Sequence, residues 1–76
     1  MNIDFHPEIK ENDFAAMREH YKDYLYFHNY NTHEVQLMLA CFDNLINKRD
    51  YETIKRQMRG IGVILISEDL EETKLL

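Results

Sequence analysis

The chain has 76 residues, a single cysteine and a formal net charge of −5, which together bound it to one small domain, spanning 1–76, without an internal disulfide. A domain this short buries only about 60% of its unfolded surface, and such scaffolds usually lean on a metal, disulfides or a partner chain. The acidic total also argues against sequence-independent binding to DNA, which depends on neutralising phosphates.

Lone-cysteine usage fits a reduced, intracellular compartment. The N-terminal stretch MNIDFHPEIK is polar, without the apolar core of a signal peptide. The longest strongly apolar run, Ile61 to Ile66, is far shorter than the roughly 20 residues that span a bilayer. A soluble, cytoplasmic protein with no membrane contact is expected.

Taken in chain order, Asn2 to His6 alternates apolar and polar residues and reads as a short strand. Pro7 ends it, and Glu8 to Asn12 reads as a charged connector or a first helical turn. Asn12 or Asp13 then caps a first helix over about 13–28. Phe14, Met17, Tyr21, Tyr24, Leu25 and His28 form its inward stripe. Its second half is dense in rings: Tyr21, Tyr24, Tyr26, Phe27 and Tyr30 put five aromatics into ten residues, and Tyr26 and Phe27 fall off the stripe.

Asn29 to Asn31 reads as a tight turn into a second helix over about 32–48, packed antiparallel to the first. Asn31 with Glu34 makes a capping-box pattern, with Tyr30 and Val35 as its hydrophobic staple. Val35, Met38, Leu39, Phe42, Leu45 and Ile46 share one arc at about 100° per residue. Leu37 and Cys41 widen it past half the circumference, so this helix is expected at the centre with neighbours on two sides. Asp50 caps a third helix over about 51–59, with Tyr51, Ile54 and Met58 inward and Gly60 placed to end it. The run 61–67, IGVILIS, favours a buried strand by its β-branched content, paired with the N-terminal segment or with a second copy. Ser67 reads as the cap of a short final helix through Leu70 and Thr73.

The expected fold is therefore mostly α with a minor α+β character. It has a three-helix core (about 13–28, 32–48 and 51–59), a short strand at 61–67 and a short C-terminal helix, with a homodimer completing the burial.

No motif carries chemistry. The four histidines and Cys41 lack the spacing of a zinc site, so neither a metal nor another cofactor is expected. Ser67, the only serine, is explained as a cap, Cys41 has no activating neighbour, and two glycines cannot build a phosphate loop. The chain is not expected to be an enzyme.

Two sets of residues remain as candidate partner-binding positions. Tyr26, Phe27 and Tyr30 are rings off the core stripe, of the type enriched at protein contacts. Lys55, Arg56 and Arg59 are a basic flank within an otherwise acidic chain. The expected function is a small acidic interaction module that binds and modulates, by inhibition, a larger protein. Viral and mobile-element accessory factors are often of this kind, though that is an association. One alternative is a nucleic-acid-binding regulator using the basic third helix, which the acidic total disfavours; another is a structural subunit of a larger assembly.

Overall fold

The computed structural model describes residues 6–67. Within them the order is β1 (Glu8–Lys10), α1 (Phe14–Phe27), α2 (Thr32–Lys48), α3 (Tyr51–Gly60) and β2 (Ile64–Ile66). The protein is mostly helical, with three helices and a short strand pair. The strands pair in parallel, Glu8 beside Ile64, Ile9 beside Leu65 and Lys10 beside Ile66. Parallel neighbours need a crossover connection, and here all three helices supply it.

The N-terminal strand is not where alternation suggested. Residues 2–5 of the expected strand lie outside the described region, and β1 follows Pro7, where a connector or helical turn was expected. The reason is Ile9, which turns into the core while Glu8 stays outside. Pro7 costs nothing at the strand start, because its carbonyl still accepts the Ile64 N–H at 2.9 Å. The expected strand at 61–67 shortens to 64–66, and the expected C-terminal helix falls outside the described residues.

All three helix starts are capped by side chains. Asp13 accepts from the Ala16 N–H at 3.1 Å. Asn31 and Glu34 form the reciprocal box, with bonds of 2.8 and 3.0 Å. Asp50 accepts from the Thr53 N–H at 3.4 Å and from its hydroxyl at 2.9 Å. All three helix ends close with one left-handed residue and the paired bonds of a Schellman motif. Tyr30 N–H reaches Leu25 C=O and Asn29 N–H reaches Tyr26 C=O; Asp50 reaches Leu45 and Arg49 reaches Ile46; Val63 reaches Met58 and Gly62 reaches Arg59. The left-handed residues are Asn29, Arg49 and Gly62. Gly60, expected to end α3, is instead its last helical residue. Gly62 takes the positive φ of 89°, and its carbonyl accepts from His6 Nδ1 at 3.1 Å.

Two buried clusters result. The larger holds Ile9, Met17, Phe42, Ile54, Met58 and Val63, drawn from both strand regions and all three helices. The smaller holds Leu25, Val35 and Leu39 between α1 and α2 alone. Tyr21 packs against both, its ring 5.6 Å from that of Phe42. Two inward expectations fail. His28 is exposed at the end of α1, where its backbone N–H closes the helix. Tyr51 is also exposed, because it stacks on the outer side of Phe14 at 5.6 Å and 13°.

Candidate functional site

α1 and α2 form an antiparallel hairpin, as the pairings Arg18 with Asp43, Tyr21 with Phe42 and Leu25 with Val35 and Leu39 run in opposite directions. Its tip is held on both sides of the turn, by the Asn29 closure of α1 and the Asn31–Glu34 box that opens α2. The aromatic residues are therefore mounted on a stiff corner.

Tyr26, Phe27 and Tyr30 are all exposed there. Phe27 shows 82% of its surface, with its ring edge-on to His28 at 5.4 Å; His28 in turn lies 4.3 Å from the Tyr24 ring. Tyr26 and Phe27 stand about 100° apart around the helix, one turn after Asp23, which both flank. Lys22, beside Tyr26, is engaged by Glu19 at 2.6 Å. That contact lowers Glu19 and raises Lys22 relative to their ordinary values. The surface surrounding the rings thus offers carboxylates more freely than ammonium groups.

The two sides of the hairpin differ. One is closed by a two-pronged ion pair, Arg18 Nε and Nη2 donating to Asp43 at 2.8 and 3.1 Å, which raises the Arg18 guanidinium further. The other carries Tyr21, Tyr24, Tyr30 and Cys41. Burial chiefly, and then the proximity of Cys41, Tyr30 and Tyr24, push the Tyr21 phenol above its usual value. Met38 lies half-buried on this side, and Leu37, next along the same flank of α2, is 56% exposed. α2 has α1 on one side and α3 on the other, as expected of the central helix, while Leu37 and Cys41 are left exposed. Their width on the helical arc was visible in the sequence; that nothing among the described residues covers them was not.

The basic set lies elsewhere, around the larger cluster. Arg56 and Arg59 are exposed on the outer side of α3 with Glu52. Lys55 turns toward Glu11, 4.0 Å away. It lines an open groove of about 330 Å³ with Glu11, Asn12, Phe14, Tyr51 and Ile54. Lys55 is thus partly answered by a carboxylate. Nothing in the sequence singled out Glu11 or Asn12 as groove residues, because they sit in a turn that the strand pairing creates.

Among the described residues no three His, Cys, Asp or Glu side chains gather at metal-binding range, and no helix is long and apolar enough to cross a membrane. Comparison of the chain with protein-family models, curated proteins and solved structures gives no match.

Proposed function

We propose that this chain is a protein-binding module whose hairpin tip docks into a larger protein and modulates it, by inhibition, without chemistry of its own. The observation that carries this reading is Phe27, a phenylalanine 82% exposed on a doubly locked turn and braced by His28. A rigid ring loses little conformational entropy on binding, and such anchors dominate interface energies. Tyr26 and Tyr30 extend the contact, and Leu37 with Cys41 continues it along α2. With Asp23 one turn before both anchors and Glu34 at the start of α2, the complementary surface is an apolar pocket rimmed by Lys or Arg. Arg56 and Arg59 form a second contact, to an acidic region of the same partner.

The test is affinity capture from the cognate cells with the wild-type chain and with Tyr26, Phe27 and Tyr30 all changed to alanine. The variant is expected to lose the captured partner, with an affinity cost above about 2 kcal/mol, while its circular dichroism stays helical. Identical capture by both chains would refute the assignment of the tip.

We infer also that the chain self-associates into a homodimer. Its small size and the open apolar surfaces on both α2 and β2 support this. The cytoplasm is the proposed compartment, on the strength of the lone Cys41.

A further inference from the structure

Among the described residues, one edge of β2 has no partner. The Ile64 N–H donates to Pro7 and the Ile66 C=O accepts from Glu11, each at 2.9 Å, so both residues aim their backbone at β1. The period of two along a strand then turns the Leu65 N–H and C=O to the opposite edge. The two edges of the sheet are unlike. On β1, Glu8 and Lys10 flank the strand's single apolar residue, and the Lys10 carbonyl is occupied by the Asp13 N–H at 3.0 Å. On β2, ILI has no charge, proline or glycine to guard the edge, and only its three-residue length blunts it. Side chains alternate the same way: Ile9 and Leu65 turn inward to the core, leaving Ile64, 49% exposed, and Ile66 on the outer face.

We propose that the edge of β2 is completed by β2 of a second copy, running antiparallel about a two-fold axis through Leu65. This rests on the self-association proposed above and names its interface. Three features select a second copy over an unrelated strand. First, Leu65 presents one donor and one acceptor side by side, and a two-fold axis brings each onto its counterpart. Second, the same axis sets Ile64 opposite Ile66 of the partner subunit, so the exposed aliphatics of each chain cover those of the other. Third, the charges match. The register of Glu8 with Ile64 and Lys10 with Ile66 makes the two outer rows of the four-stranded sheet each begin in a carboxylate and end in an ammonium, with the middle row apolar, so a chain of net charge −5 meets its copy without local repulsion. The sheet grows from two strands, marginal alone, to four. The contact is small, so dissociation is expected on the order of micromolar.

Sedimentation equilibrium from about 1 μM to 1 mM tests this on three chains: wild type, Ile64→Lys, and the double variant Ile64→Lys with Ile66→Glu. The wild type is expected to pass from 9.2 kDa to twice that mass. The single variant, whose new ammonium lies beside its own Glu8 but against an apolar partner residue, is expected to dissociate about tenfold more readily or worse. The double variant is expected to recover, because the axis sets each new ammonium against the partner's new carboxylate. Hydrogen exchange of the Leu65 amide reads the contact without any substitution. It is expected to be protected in concentrated protein and free in dilute, which decides the matter if Ile64→Lys fails to fold. A wild type monomeric throughout overturns self-association and this interface together. A dimer that survives Ile64→Lys but dissolves on Leu37→Ala with Phe27→Ala overturns the β2 interface alone and moves self-association to the hairpin. A Leu65 amide that exchanges freely in the dimer likewise overturns it.

Discussion

The two ends of the helical hairpin are built to different standards. At the base, Met17 and Phe42 are enclosed by α3 and the strand pair, with Ile54, Met58, Ile9 and Val63 completing the shell. At the tip, Leu25, Val35 and Leu39 have, among the described residues, only each other and a half-buried layer of Tyr21, Tyr24 and Met38. Yet the backbone at the tip is secured locally, with a reciprocal capping box directly after a Schellman closure. Local hydrogen bonds there do the work that tertiary burial does at the base. Such a corner holds its shape while leaving apolar side chains uncovered, which a binding surface requires and a folding core does not.

The largest effect should come from the base. Phe42→Ala removes the ring that packs against Tyr21 and leaves a cavity, at a cost of about 3–5 kcal/mol. A chain of this length holds about 4–11 kcal/mol in all, so urea titration should find the variant's midpoint far below that of the wild type. Leu39→Ala at the tip faces only two helices, and the opening can collapse further, so about 2–3 kcal/mol is expected. Native-state hydrogen exchange sharpens the contrast. Amides near Val35 and Leu39 should open at lower free energy than those near Met58; equal values would show the two clusters to be one cooperative unit.

Gly62→Ala comes next. The residue sits at φ 89°, and an added Cβ would lie 3.1 Å from His6 Nδ1. Backbone strain of about 1–2 kcal/mol plus that contact should weaken the junction of α3 with β2. Gly60→Ala, with open space around its Cβ position, should be neutral or slightly stabilising. Asn31→Ala should cost about 1 kcal/mol by losing the box. If the tip depends on local bonds as argued, that loss should also weaken partner binding, which a purely structural cap would leave unchanged.

These contrasts also show what a linear reading can see. The helices were legible because their signals are local: a capping side chain three residues before its amide, and an apolar period near 3.6. Asp13, Asn31 and Asp50 needed no tertiary information. β1 was not legible, because its evidence is one isoleucine between Glu8 and Lys10, and only pairing with Ile64–Ile66 makes it a strand. Choosing between Gly60 and Gly62 required knowing where α3 stops, which Val63 decides by packing beside Met58. At the candidate site the exposure of Tyr26 and Phe27 followed from the helical period. The openness of Leu37 and Cys41 did not, since an apolar residue off the stripe is covered or bare according to what lies beside it.

The smallest effect isolates the layer that joins the two ends. Tyr21 touches both clusters, and burial first, with Cys41, Tyr30 and Tyr24 nearby, raises its phenol above the ordinary 10.0. A folded-state value above the unfolded one means the unfolded chain loses its proton first as pH rises. Tyr21 therefore contributes stability in full below about pH 10, and that contribution is lost as pH climbs through the raised folded value. Tyr21→Phe keeps the ring and removes the ionisation, so its denaturation midpoint should fall less steeply than that of the wild type above pH 10. The phenol is only partly buried, so the difference should be small beside any core truncation. An identical alkaline slope in both chains would place the Tyr21 hydroxyl in water. The open side of the hairpin would then be a bare surface down to its innermost ring, and Tyr21 itself would join Tyr24 and Tyr30 among the residues a partner can reach.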